Sequence, residues 1–369
     1  MSALSTQARY WTSGREVLAD RSLAYGFCMT LEEGIVLSHP RVALLEVSHW
    51  HAPLYVEPLK RLGVPVVGVS DAQPRVSERF SELLGCPAYS DWRELLRRER
   101  VDFAFVFGRH REMPGICEAL VAMKIPFAVE KPLGTSAQQS EHVARVADAA
   151  KLFAAVPFIL RHSPATRLIR DALGASPSEE LAHLHFRFVA GPPQRYVDAD
   201  CSWMLDAGEA GGGCTANLAI HFIDLFRHLV GQHISVASAS MSTRMYRLEV
   251  EDFSTLTLTA QDGVLCTIET GYTFPGGLQQ KREAYFSIGA RDQYFVVTND
   301  VVQHYARERG LSVHRIVTDT DPYYGDFVAD TLARFVEGAK PTADLWDLVV
   351  AARVLDEAYA LAGLGLRSS

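Results

Sequence analysis

Two short segments of this chain carry side chains suited to acid–base work. Val129-Glu130-Lys131-Pro132-Leu133 ends an apolar run with a lysine, and Gly211-Gly212-Gly213 leads through Asn217 to His221-Phe222-Ile223-Asp224. A lysine ammonium can hold an oxygen on which negative charge develops. An imidazole changes protonation near neutral pH. Interconverting an alcohol and a ketone needs one group of each kind, a holder for the reacting oxygen and a carrier for its proton. Asn217 and His221 stand at i and i+4, on one face of a helix. The competing readings are a strand-end lysine reaching solvent and a histidine buried for packing.

These segments need elements to position them. Over residues 41–158 short apolar runs alternate with amphipathic stretches. Strands are expected at 41–45, 64–69, 101–107, 126–129 and 152–158, and helices near 53–62, 74–84, 91–99, 114–123 and 136–151. Gly63 and Gly85 close two helices, Asp91 caps a third, and Pro58 should kink or shorten the first. Fully apolar strands separated by helices imply a doubly wound parallel sheet of Rossmann type. After Arg161 the segments 181–190, 234–246, 253–260, 263–272, 283–290 and 293–299 alternate or are β-branched and aromatic. Asp262-Gly263 is a hairpin signal, so this half predicts an α+β domain with a mostly antiparallel open sheet. Helices near 326–336 and 345–362 close the chain. The expected organisation is an N-terminal extension at 1–40, a dinucleotide-binding domain at 41–160 and a substrate and oligomerisation domain at 161–369. The last helices are free to pack back on the first domain.

Composition narrows the classes. With 369 residues, 48% hydrophobic and 22% charged, the chain can fill two folded domains. A net charge of -8 argues against nucleic acid or an anionic membrane as partner, since both need a basic face. The six cysteines form no C-x-x-C pair, which fits a reduced, cytoplasmic protein. No apolar run suggests a membrane span.

A dinucleotide fold follows its first strand with G-x-G-x-x-G, so that backbone N–H groups can approach the diphosphate. Here the positions read Glu46-Val47-Ser48-His49-Trp50-His51. Ser48 can donate a hydroxyl, the histidines can offset charge, and the helix N-terminus behind Trp50 remains. Asp71 ends the second strand, where an acid binds the adenosine ribose, and that favours NAD over NADP. A helix cap is its plainer role, and Arg75 keeps a 2′-phosphate open. Either NAD or NADP binds through a divergent loop, or the site has been turned to another task. His49 and His51 lack a third ligand at convincing spacing, so no metal is expected.

The Glu130-Lys131-Pro132 and Gly211–Asp224 segments resemble the two signature motifs of the Gfo/Idh/MocA family of sugar and cyclitol oxidoreductases. The resemblance runs from about residue 41 to the C-terminus. It implies hydride transfer between NAD or NADP and a secondary alcohol carbon of a sugar, cyclitol or related polyol. It also implies a homo-oligomer paired through the antiparallel sheet. It places a cis bond before Pro132, with Glu130 and Lys131 beside the nicotinamide and Lys131 on the substrate oxygen. His221 becomes the proton carrier, with Asn217 where the family has an acid and Ala219 where it has a glycine. Gly108 and Arg109 fall in the turn that borders nicotinamide and diphosphate. Arg161, Trp203, Asn217 and Tyr324 fall near the substrate, and Asp224 braces the helix. The departures leave room for an epimerase or lyase that uses NAD transiently, for lyase or isomerase chemistry without redox, and for a non-catalytic binding protein.

Overall fold

A computed structural model describes residues 39–174, 177–276, 280–298 and 300–364. The expected extension at 1–40 lies outside them except for its last two residues. Strands β1 (Val42–Leu45), β2 (Val66–Ser70), β3 (Ala88–Tyr89), β4 (Phe103–Val106), β5 (Phe127–Val129) and β6 (Ala154–Ala155) form a parallel sheet in the order β3-β2-β1-β4-β5-β6. β1, β4 and β5 are buried along their whole length, which is why they read as unbroken apolar runs. Helices α1 (Pro53–Arg61), α2 (Pro74–Leu84), α3 (Trp92–Arg98), α4 (Met113–Ala122) and α5 (Ala137–Ala149) cover the faces. Their ends follow local chemistry. Asp91 accepts the Arg93 N–H at the start of α3, and Gly85 closes α2 at φ 67°. α1 runs through Pro58 and stops at Arg61.

Two expectations shift. The strand foreseen at 152–158 shrinks to β6, because Val156 turns away to bond Ala343 and a 3-10 turn, Ile159–His162, follows. β3 has two residues, too few for a periodic signal. The strand order reverses between β1 and β4, so the crevice at their carboxyl ends is where such a sheet takes its ligand.

The second sheet holds β7 (Leu181–Ala190), β8 (Ile234–Ser242), β9 (Phe253–Ala260), β10 (Leu265–Gly271), β11 (Arg282–Ala290), β12 (Gln293–Thr298), β13 (Val301–Ala306) and β14 (Gly310–Arg315). Its order is β14-β13-β12-β11-β7-β10-β9-β8, antiparallel throughout except where β7 meets β10. After α6 (Pro164–Leu173), helix α7 (Ile220–Val230) lies on one face of this sheet, with Phe222 against Phe186 and Phe188. α8 (Tyr323–Glu337) packs on α1, and α9 (Leu345–Leu361) packs on α5 and β8. The closing helices therefore return to the first sheet, and one hydrophobic core runs through both halves.

Candidate active site

β5 delivers Glu130 and Lys131 to the crevice, and the Lys131–Pro132 peptide is cis. Lys131 is 1% exposed. Its Nζ donates to the Asn217 carbonyl at 2.9 Å and to Asn217 Oδ1 at 3.1 Å. Asn217 sits in a π-helical turn, Thr215–Ala219, that opens α7 and presents its carbonyl to the lysine. The preceding glycines are sterically required. A Cβ on Gly213 would lie 2.2 Å from the Glu251 carbonyl oxygen, and one on Gly212 would lie 2.0 Å from the Tyr359 hydroxyl. That clearance lets the buried Glu251 carboxylate accept the N–H of Gly213 (2.9 Å) and Thr215 (2.7 Å) and the Tyr359 hydroxyl (2.8 Å).

His221 follows Asn217 by one turn and faces the same cavity. Its Nδ1 is buried and has no partner among the described residues. Burial, then the neighbouring Lys131 and His51, hold its pKa well below the usual 6.5. Burial also pushes Lys131 down to about 8, against the pull of Glu130. At neutral pH the centre therefore pairs a neutral imidazole with an ammonium. Glu130 accepts the Tyr55 hydroxyl (2.8 Å) and lies 3.1 Å from His51 Nδ1.

The carboxylate that sequence spacing did not offer to the two histidines arrives from β5. Ligand atoms of His49, His51 and Glu130 lie within 4.8 Å of one another. They are joined as a hydrogen-bonded chain. The backbone N–H of His51 donates to His49 Nδ1 at 3.1 Å, which occupies that lone pair and leaves the His49 proton on Nε2. The cavity, walled by Trp50, His51, Lys131, Asn217, His221 and Tyr324 among others, measures about 50 Å³. That holds a few waters and is well below the ~300 Å³ of a typical ligand pocket.

The loop after β1 is folded inward. Glu46 takes φ 56°, the left-handed region a glycine would favour. Its carboxylate accepts Ser70 Oγ (3.2 Å) and the Ala72 N–H (3.3 Å), and burial followed by the nearby Asp71 raises its pKa to about 7. Asp71 accepts the N–H of Ser48 (2.6 Å) and of Gln73 (2.9 Å), one on each oxygen. His49 is buried among Phe107, His110 and Trp203. Gly108, across the crevice, is closely packed: a Cβ there would lie 3.1 Å from the Met113 side chain, which would have to give way slightly.

A strap from the second domain, residues 199–211, crosses the same crevice. At the β2 end Asp200 pairs with Arg75 and with Arg79 (3.3 Å). In the middle Trp203 Nε1 donates to the Ser48 carbonyl at 2.8 Å. At the β4 turn Glu209 pairs with Arg109 (3.4 Å) and Arg111 (3.7 Å), and His110 Nδ1 bonds the Ala210 carbonyl at 2.7 Å. The groove thus has the cations for an anionic ligand, and its anions are supplied by the chain itself. Its charge fits a dinucleotide, and its space is held by the strap.

Residues 48–158 match the model of the oxidoreductase family with an NAD-binding Rossmann fold, and residues 169–290 match the Gfo/Idh/MocA C-terminal domain. The chain belongs to the Gfo/Idh/MocA family. No curated protein matches it by sequence. Solved structures resemble this Gfo/Idh/MocA protein in fold. An oxidoreductase from Agrobacterium radiobacter in complex with NAD+, L-tartaric acid and magnesium is 16% identical, with a TM-score of 0.78 over 89% of this chain and 97% of that one. Levoglucosan dehydrogenase with NADH and levoglucosan is 16% identical, with a TM-score of 0.77 over 88% and 97%. UDP-N-acetylglucosamine 3-dehydrogenase GnnA from Acidithiobacillus ferrooxidans is 18% identical, with a TM-score of 0.72 over 88% and 99%.

In this Gfo/Idh/MocA protein Lys131, Asn217, His221, Tyr324 and Trp50 meet at one cavity, with Glu130 behind them. Five expected residues are placed otherwise. The Arg161 guanidinium is bound by Asp224 (2.6 and 2.9 Å), Asp347 (3.0 Å) and the Thr342 carbonyl (2.9 Å), so it ties α7 to the start of α9 instead of reaching substrate. Trp203 lies on the strap over Ser48, away from the cavity wall. Asp71 turns inward, where each of its oxygens accepts a loop N–H. Arg109 faces Glu209. Ser48 is turned to the protein itself: its backbone N–H and its hydroxyl both serve Asp71, and its carbonyl accepts Trp203. Sequence reading passed over Arg195, Tyr196 and Arg282 on the cavity wall and Asp200 and Glu209 on the strap. The segment from 191 to 211 has no regular period, so nothing singled them out.

Proposed function

We propose that this Gfo/Idh/MocA protein is a nicotinamide-dependent oxidoreductase acting at a secondary alcohol carbon of a sugar, cyclitol or related polyol. The Lys131–Asn217–His221 cluster at the carboxyl ends of the parallel strands carries the reading. A bound nicotinamide supplies or accepts the hydride. Lys131, charged below its pKa of about 8, donates to the reacting oxygen and stabilises negative charge there. Neutral His221 takes the alcohol proton in oxidation and returns it in reduction. Asn217 fixes the ammonium from two sides. Arg75, Arg79, Arg109 and Arg111 would hold the phosphates of the coenzyme in place of Asp200 and Glu209. Asp71, just past the end of β2, suits the ribose of NAD, and Arg75 and Arg79 on α2 keep NADP open.

The covered groove favours a second reading, acid–base lyase or isomerase chemistry at the same cavity with no dinucleotide. Titration with NADPH and NADH, followed by quenching of the tryptophans, divides the two. Saturable quenching supports the redox reading, and no binding of either at millimolar concentration defeats it. Given binding, Lys131→Ala and His221→Ala each abolish turnover without unfolding the protein.

Subunit pairing through the second sheet belongs to the same proposal. Leu265, His183, Gly289, Tyr294, Tyr305 and Leu311 lie in one register row across six strands, and Leu265, Tyr294, Tyr305 and Leu311 are exposed. A monomeric mass by light scattering would remove that part. No helix among the described residues is long and apolar enough to cross a membrane.

A further inference from the structure

The cavity wall holds a cation that the chemistry above does not use. Arg195, on the short helix Gln194–Asp198, donates from Nη2 to the Tyr196 hydroxyl at 2.7 Å. Its Nε is buried without a partner, and no carboxylate of the described residues lies within ion-pairing distance of it. Three rings enclose the guanidinium: Tyr196 at 4.7 Å, Trp50 at 5.2 Å and Tyr272 at 5.6 Å. They hold it in place and screen it from water. The nearby Arg282 is different, because Asp321 (3.0 Å), Asp319 (3.4 Å) and Thr320 Oγ1 (2.8 Å) satisfy it.

A half-buried guanidinium with its Nε enclosed and no carboxylate partner is costly to keep, and a chain with net charge -8 has carboxylates to spare for it. The same wall also carries Lys131. The cleft is therefore cationic inside an acidic protein, an arrangement that draws in anions. A guanidinium fork matches a carboxylate or a phosphate. One unpaired arginine matches a monoanion, and Asp321 on the same wall disfavours a dianion.

We propose that Arg195 binds a carboxylate of the substrate, so that the substrate is a polyhydroxy acid of the aldonate or uronate class and not a neutral sugar. Tyr196 links the two ends of the site. Its hydroxyl receives Arg195 and also Asn217 Nδ2 (2.8 Å), while Asn217 Oδ1 receives Lys131 (3.1 Å). The carboxylate anchor and the reacting hydroxyl are thus registered through one hydrogen-bonded relay. The identity of the reacting step rests on the oxidoreductase reading; the docking of the anion does not.

The test is calorimetric titration of the full-length protein with sodium D-gluconate, sodium D-galacturonate and D-sorbitol at matched ionic strength, with and without NADPH. Sorbitol and gluconate differ in a single terminal group, a hydroxymethyl against a carboxylate. Binding of either acid at least tenfold tighter than sorbitol is expected. Arg195→Gln should abolish that preference, and Arg195→Lys should restore part of it. Equal affinities, binding of neither acid, tighter binding of inorganic phosphate, or an Arg195→Gln protein that folds and keeps the preference would each overturn the proposal. If Arg195→Gln does not fold, the wild-type comparison and Arg195→Lys still decide. Acid preference in a protein that binds no dinucleotide would uphold Arg195 and defeat only the redox reading.

Discussion

Lys131→Met isolates the charge at the centre of the site, because methionine is an unbranched side chain only one atom shorter and carries no ionisable group. The lysine pKa falls from 10.5 in the unfolded chain to about 8 in the fold. At about 1.36 kcal/mol per unit, keeping Lys131 charged below pH 8 costs the fold roughly 3 kcal/mol. Between the two values the unfolded chain binds the extra proton, so stability rises with pH across that window and the gain is complete only above 10.5. From pH 7 to pH 9.5 the wild-type protein should gain about 2 kcal/mol relative to Lys131→Met, by the same linkage. The variant strands two Asn217 oxygens, worth roughly 1–3 kcal/mol, but that loss does not vary with pH here and leaves the slope untouched. Urea unfolding of both proteins at the two pH values measures the difference. Parallel pH dependence would show that Lys131 is solvated and that the buried ammonium is not the group awaiting the substrate oxygen.

Other perturbations test the remaining parts. Glu46 has its pKa raised from 4.5 to about 7, so its contribution is intact below 4.5 and disappears as pH rises through 7. Glu46→Gln should therefore be more stable than wild type at pH 8, by roughly 1–3 kcal/mol, and the two should converge near pH 4; thermal melts at both pH values check this. Combining Asp200→Asn with Glu209→Gln removes the strap's two anions. Each exposed pair is worth at most about 1 kcal/mol, so removing both should let NADPH bind up to about thirtyfold tighter, and unchanged affinity would separate the strap from the coenzyme groove. Gly213→Ala drives a Cβ into the Glu251 carbonyl at 2.2 Å, backbone against side chain, and should cost more than about 3 kcal/mol in chemical unfolding.

The first sheet was legible because burial on both faces leaves an unbroken apolar signature, as in Phe103–Val106. β13 and β14 were not foreseen. Their sequences, VVQHYA and GLSVHR, lie at the open edge of the second sheet and keep polar residues on much of their surface. Lys131 and His221 could be named from type and position, since strand ends and helix starts face the crevice in this architecture. Asp71 and Arg161 could not be placed correctly. Their partners, Ser48 in one case and Asp224 with Asp347 in the other, come from distant parts of the chain, and spacing carries no record of them. Arg195 lies in an irregular stretch, and its lack of a counterion is visible only once everything around it is in place.

Residues 194–211 are one continuous stretch that gives Arg195 to the cavity and Asp200, Trp203 and Glu209 to the groove. Work done on that stretch at one end is felt at the other. By thermodynamic reciprocity, if coenzyme alters the affinity for the acid, the acid alters the affinity for coenzyme by the same factor. Under the proposed function the two ligands would share this one stretch of backbone, and any coupling between them would pass through residues 194–211.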